Sequence, residues 1–184
     1  MEVFLNSFGL VFVGEMGDKT QLLALLLVAR YRKPWTILAG VFVATVLNHA
    51  LASWLGLSVA KLFEPQTMIY ILAATFFAFA AWVLVPDKEE VLKERNQIGA
   101  FATTVVTFFL AEMGDKTQLA TIALGARYTN LWLVTAGTTL GMMASNALAI
   151  FFGSKLLTRI PMKWVRVFAS LMFAAFGVGV LFFK

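Results

Sequence analysis

The chain has 184 residues, of which 60% are hydrophobic and 14% charged, and its mean hydropathy is +0.83. An ordinary soluble domain is roughly 45–50% apolar and about a quarter charged. This composition argues against a soluble enzyme, a disordered tail and a nucleic-acid-binding domain, and it indicates an integral membrane protein. The absence of cysteine excludes disulfides and thiolate metal sites, and the single histidine, His49, excludes a multi-histidine zinc site within one chain.

Six apolar stretches approach or exceed the length of about 20 residues that a transmembrane helix needs. In chain order they cover residues 3–28, 36–57, 68–85, 98–124, 131–153 and 164–183. Short polar or proline-containing segments separate them, and the longest separator is the charged segment before residue 98. The sequence therefore predicts an all-α membrane protein with six transmembrane helices.

The second signal is an internal repeat with a shift of 97 positions. The octapeptide EMGDKTQL at residues 15–22 recurs at residues 112–119, and further identities continue in the same register without a gap. We expect two three-helix repeats, at residues 1–85 and 98–184, joined by a charged cytoplasmic linker at residues 86–97. They form one integral membrane domain.

An odd number of helices per repeat makes the second repeat enter the membrane from the opposite side, which predicts inverted repeats. Basic residues are distributed accordingly, since ten lie in or beside the loops after spans one, three and five and three lie on the other side. By the positive-inside rule, both termini are extracytoplasmic. The basic net charge of +5 then follows from topology rather than from a nucleic-acid partner.

Four carboxylates lie within the predicted spans that carry the repeated octapeptide: Glu15, Asp18, Glu112 and Asp115. Ionisable groups at that depth cost at least ~2.5–3 kcal/mol each and indicate a functional site. The i to i+3 spacing puts each Glu and Asp on one helical face. Inverted repeats bring the two pairs together at the midplane, where oxygen ligands suit Ca²⁺, Mn²⁺ or Mg²⁺. Neutral oxygens adjoin them at Thr20, Gln21, Thr117 and Gln118.

A purely structural interpretation stays open for these carboxylates. Lys19 and Lys116 could pair with Glu15 and Glu112 at i to i+4 as simple neutralisation. Two lysines leave four carboxylates with a surplus negative charge, and both lysines are also candidates for proton-sensitive gates.

The two copies of E-x-G-D-[KR]-[ST], one in each three-helix half, resemble the motif of a small cation/proton exchanger family. That family includes eukaryotic Golgi calcium/manganese transporters and bacterial manganese exporters, and the resemblance covers essentially the whole chain. It implies that Glu15, Asp18, Glu112 and Asp115 bind the transported cation. The compact chain is most similar to bacterial members, which implies Mn²⁺ export across the inner membrane of a bacterial cell. The residues alone indicate only a divalent cation.

Weaker candidates lie in the second span of each repeat, where Asn48 and His49 align with Ser145 and Asn146. These polar residues, Asn48, His49, Ser145 and Asn146, are predicted either to line the pathway or only to hydrogen-bond between helices. His49 is a poor candidate for a direct ligand because its repeat counterpart is an asparagine.

The sequence predicts a secondary transporter that exports Mn²⁺, or Ca²⁺ as the next candidate, in exchange for protons. The alternative is a passive divalent-cation channel or uniporter with the same carboxylates. Intramembrane aspartyl proteolysis is disfavoured because the chain has no Tyr-Asp pair, and we expect no enzyme activity and no resident cofactor. The expected partners are the lipid bilayer, the transported cation and protons, with no nucleic acid and no obligatory protein partner.

Overall fold

The computed structural model describes residues 1–85, 99–156 and 162–182. Within these ranges the regular structure is entirely helical. The predicted linker at residues 86–97 lies outside the described residues. The eight helices are α1 (Glu2–Gly14), α2 (Lys19–Tyr31), α3 (Pro34–Ala60), α4 (Pro65–Trp82), α5 (Ala100–Glu112), α6 (Lys116–Tyr128), α7 (Leu131–Leu156) and α8 (Met162–Phe182).

Four of these helices are long and apolar enough to cross a membrane, namely α3, α4, α7 and α8, and they match four of the predicted spans. The other two predicted spans, at 3–28 and 98–124, are not continuous helices. Each of these segments is broken into two 13-residue helices, α1 with α2 and α5 with α6. The break falls in the repeated motif in both cases, at a glycine with a positive φ.

Helix boundaries repeat along the chain as the sequence does. Helices α2 and α6 begin and end 97 positions apart, and α3 and α4 begin 97 positions before α7 and α8. Two left-handed residues also correspond, since Arg32 ends α2 with a φ of 54° and Thr129 ends α6 with a φ of 48°. The two halves therefore share one local fold.

The long helices α3 and α7 lie at the centre and contact each other. Helix α3 also packs against α5 and α6 of the second half, and α7 packs against α1 and α2 of the first. Thr45 donates a hydrogen bond to the sulfur of Met142, its own repeat counterpart, at 3.2 Å. The halves are thus interlocked through their central helices.

Glycine permits this close packing at equivalent positions of α3 and α7. A Cβ atom added to Gly40 would lie 2.7 Å from Cβ of Thr104 on α5, and one added to Gly137 would lie 2.7 Å from the carbonyl oxygen of Phe4 on α1. Both distances are too short for a real side chain, so only glycine lets these helix backbones approach.

Aromatic side chains join α4 to α8 at one side of this centre. Phe76 and Phe79 of α4 contact Phe176 and Phe173 of α8 with ring centroids 5.1 and 5.9 Å apart. Many large apolar side chains on the outer faces are instead exposed, such as Trp54 of α3. An outer surface of this kind fits lipid rather than water.

Candidate cation site

The site begins with the two helix breaks, which the sequence Glu-Met-Gly-Asp dictates. Gly17 has a φ of 78° and Gly114 a φ of 80°, a left-handed conformation that costs other residues energy. The amide of Asp18 donates to the carbonyl of Glu15, and the amide of Asp115 donates to that of Glu112, both at 3.1 Å. Each motif thus forms the same tight turn between two half-helices.

The turns bury the carboxylates of both motifs. Glu15 directly follows α1 and Glu112 ends α5, and they are 0% and 1% exposed. Asp18 and Asp115 directly precede α2 and α6 and are each 6% exposed. Neither aspartate caps its helix through its side chain. Burying charged carboxylates this completely costs free energy unless protons, cations or hydrogen bonds compensate their charge.

Three of these carboxylates come together across the two halves. Glu15, Glu112 and Asp115 each offer an oxygen within 4.8 Å of the others, an arrangement in which one metal ion could be held. Asp18 is not a member of this group. The candidate site therefore combines one carboxylate from the first motif with two from the second.

The two glutamates differ in their hydrogen bonds. Thr20 donates to one carboxylate oxygen of Glu15 at 2.9 Å, and Thr117 of the other half donates to its second oxygen. Within the part of the chain that the structure describes, neither carboxylate oxygen of Glu112 has a hydrogen-bond partner. A buried carboxylate without partners is the kind of group that a cation or a proton satisfies.

The ion pair of Lys19 differs from the one that the structural interpretation of the sequence gave it. Lys19 pairs with Asp115 of the other half at 3.3 Å rather than with Glu15. The i to i+4 geometry required a continuous helix, and the break at Gly17 removes it. Lys116 donates to the carbonyl of Val85 at 3.4 Å and lies over the Trp82 ring. The equivalent lysines therefore have different surroundings.

The glutamines of the two motifs contact the central helices of the opposite half. Gln21 donates to the hydroxyl and the carbonyl oxygen of Ser145 on α7, and Gln118 donates to the side-chain oxygen of Asn48 on α3. Asn48 in turn donates to the carbonyl of Phe109. The structure thus joins Asn48 to the second motif by hydrogen bonds between helices, and its place along a pathway stays a prediction.

The remaining candidates lie elsewhere. Asn146 donates to the carbonyl of Met142 on its own helix. His49 is 1% exposed, and neither ring nitrogen has a hydrogen-bond partner in the described ranges. His49 is not part of the three-carboxylate group, and no metal-ligating role follows for it from this arrangement.

Two further residues lie beside the site. Ser145 binds Gln21, and its alignment with Asn48 in the repeat had marked it as a polar residue of the second span. Arg166 of α8 lines a cleft beside the first break together with Asp18 and Lys116. Its repeat counterpart is Ile69, so no repeated pattern marked it.

Comparison with known proteins identifies relatives along the whole chain. The family model described as "Divalent cation/proton antiporter GDT1" matches residues 3–91 and 100–184. A Vibrio cholerae protein named "Putative manganese exporter" is 41% identical over the whole chain and 92% of its own length. "GDT1-like protein 3" of Arabidopsis thaliana is 28% identical over 99% of the chain and 71% of its own length.

A cyanobacterial relative, "GDT1-like protein sll0615" of Synechocystis, is 29% identical over 97% of this chain and 96% of its own length. No solved structure matches the chain. The family is one of transporters rather than enzymes, and this chain covers almost the full length of both bacterial relatives. The chain is therefore an integral membrane protein of the GDT1 family of divalent cation/proton antiporters.

Proposed function

We propose that this protein exports Mn²⁺ from the cytoplasm in exchange for protons, with Ca²⁺ as its second cargo. The observation that carries the proposal is the group of three buried carboxylates that the two motif breaks assemble, Glu15, Glu112 and Asp115. Carboxylate oxygens suit hard or intermediate divalent cations such as Mn²⁺ and Ca²⁺. The Vibrio cholerae relative's name favours Mn²⁺ between these two.

The transmembrane arrangement that fits this function has six crossings. Helices α1 and α2 have 13 residues each, or about 20 Å, too short to cross a hydrocarbon core of about 30 Å alone. Together they make one crossing with the break near its middle, and α5 with α6 makes another. Three crossings per half give inverted repeats, with both termini extracytoplasmic and the protein in the inner membrane of a bacterial cell.

The break itself supports a cation site at membrane depth. Broken helices are tolerated there when the open backbone lines a protein-enclosed cavity. The C-terminal ends of α1 and α5 direct the negative ends of their dipoles toward the break, which favours a cation. Asp18 supplements the group from the N-terminus of α2.

Exchange follows from competition at shared ligands. A divalent cation binds deprotonated carboxylates, so its binding releases protons and protonation displaces it. When the site alternately opens to each side, protons entering from the acidic side expel the cation there. We expect the apparent cation affinity to weaken as the pH falls.

Flux in proteoliposomes tests the proposal. Mn²⁺, Ca²⁺, Mg²⁺ and Zn²⁺ are compared under a pH gradient while the internal pH is recorded and the membrane potential is clamped. We expect Mn²⁺ flux with proton movement in the opposite direction. Metal flux without any pH change would favour the passive channel or uniporter, and absence of flux for all four cations would refute transport.

A further inference from the structure

The glutamine that follows each motif uses both ends of its amide group. The carbonyl oxygen of Gln21 accepts the backbone N–H of Gly17 at 2.9 Å, and that of Gln118 accepts the N–H of Gly114 at 2.7 Å. Since a backbone N–H can only donate, the side-chain oxygen must face the break. The amide nitrogen is then directed away from it.

The nitrogens point to equivalent positions in opposite halves. Gln21 donates to Ser145 at 2.7 Å to the hydroxyl and 2.9 Å to the carbonyl oxygen. Gln118 donates to Asn48 at 3.4 Å. Ser145 and Asn48 are repeat counterparts on the central helices α7 and α3. Each glutamine therefore connects the turn of one half to the central helix of the other.

These bonds act directly on the cation-binding turn. Gly17 lies between Glu15 and Asp18, so a bond to its amide restrains the residues that carry both carboxylates. The break interrupts regular helical hydrogen bonding here, and an unsatisfied backbone donor inside a membrane costs several kcal/mol. Gln21 supplies the acceptor and couples the turn to α7 in the same side chain.

We propose that Gln21 and Gln118 are positioning residues, which set the geometry of the carboxylates rather than coordinating the cation. The inference deepens the proposed function and rests on it. It replaces the expectation that these amide oxygens add to the cation's ligands, because each oxygen already accepts a backbone N–H. To coordinate the cation directly, each glutamine oxygen would have to break its hydrogen bond with the glycine N–H of the turn.

The two connections are unequal. Gln21 is buried and makes two short bonds to α7, whereas Gln118 is half-buried and makes one long bond to α3. Gly114 is also more exposed than Gly17. The first motif is therefore held more firmly, and loss of its glutamine should have the larger effect.

Gln21→Met and Gln118→Met test the inference, since methionine is similar in length and cannot make these bonds. The full-length protein is purified in detergent, and Mn²⁺ binding is measured from the electron paramagnetic resonance signal of the free ion. We expect the Kd for Mn²⁺ to rise at least tenfold in Gln21→Met and less in Gln118→Met. Gln66→Met, at an exposed position of α4, is the matched control and should bind as the wild type does.

Substitutions at Ser145 separate positioning from coordination without touching the glutamine. Ser145→Ala removes one of the two acceptors of Gln21, so positioning predicts a weaker Mn²⁺ affinity at an unchanged melting temperature. Ser145→Asn restores the Gln–Asn pair of the other half and should recover most of the affinity. An unchanged Kd in Ser145→Ala together with a loss in Gln21→Met would overturn positioning in favour of a ligand role.

The remaining outcomes are also decisive. An unchanged Kd in Gln21→Met, with Mn²⁺ bound normally by the wild type, would overturn this inference alone. Failure of the wild type to bind either Mn²⁺ or Ca²⁺ would overturn the proposed function and this inference with it. If Gln21→Met does not fold, the two Ser145 variants decide the question.

Discussion

Replacing Glu112 with glutamine removes a buried charge from the candidate cation site with almost no change in shape. Glu112 is 1% exposed, and its two carboxylate oxygens have no hydrogen-bond partner in the described part of the chain. A divalent cation and a carboxylate 4 Å apart attract each other by about 8 kcal/mol at an effective dielectric constant of 20. The amide oxygen of glutamine can still act as a neutral ligand, and the lost repulsion from the Glu15 and Asp115 carboxylates offsets a further part of this loss.

We therefore expect Glu112→Gln to weaken cation binding by about 3 kcal/mol, roughly 100-fold. Thermal unfolding with and without Mn²⁺ measures the change. A ligand at 100 times its Kd stabilises the folded state by about 2.7 kcal/mol. At the same concentration, a 100-fold weaker variant retains only about 0.4 kcal/mol of that stabilisation.

The matched control is Glu64→Gln, the same substitution at an exposed position before α4. This variant should keep the full Mn²⁺-induced shift in melting temperature and the full flux in proteoliposomes. If Glu112→Gln also kept both, the three-carboxylate group could not be the cation site. The same result would remove the main support for the proposed function.

Three further predictions concern the break, the ion pair and the topology. Gly114→Ala should lower the free energy of unfolding by about 1–2 kcal/mol from backbone strain alone, because the φ of Gly114 is 80° and an added Cβ would have no heavy atom within 4 Å. The control is Gly179→Ala, within α8 and equally open, which should show no loss of stability on thermal unfolding. Lys19→Gln should lower the KM for Mn²⁺ in flux assays, since the lysine competes with the cation for its aspartate partner, and a raised KM would contradict this. In intact bacterial cells, an impermeant thiol reagent should label the Lys61→Cys variant but not the Glu90→Cys variant. The labelling is specific because the native chain has no cysteine. The opposite pattern would reverse the topology.

Hydropathy was sufficient to predict the long helices, and the repeat drew attention to the motif carboxylates, three of which the structure brings together. Four predicted spans correspond to helices whose ends lie within a few residues of the predicted ends. A long apolar segment in lipid forms a helix because the helix satisfies all its backbone hydrogen bonds within the segment. Hydropathy could not predict the breaks, because each charged octapeptide lies inside an apolar stretch long enough for one continuous helix. Only the positive φ of these glycines and the glutamine acceptors mark the interruption.

The repeat predicted that the two motifs meet, but the individual side-chain pairs between the halves were beyond the sequence for a different reason. Within one helix, spacing fixes which side chains meet, and this gave the alternative pairing of Lys19 with Glu15. The partner is Asp115, 96 residues away, and that contact depends on how the halves pack. The same packing gathers three carboxylates and leaves Asp18 outside their group, although the repeat makes all four look equivalent.

Thr45 and Met142 occupy equivalent positions in the two halves and touch each other where α3 crosses α7. A residue that meets its own counterpart lies on the axis relating two copies, as at the centre of a symmetric dimer. Two separate copies of one half would meet each other at this position. Their covalent linkage in one chain makes the assembly independent of concentration. It also allows the two residues on the axis to differ. Two identical subunits would place the same residue on both sides, so they could not pair a threonine hydroxyl with a methionine sulfur there.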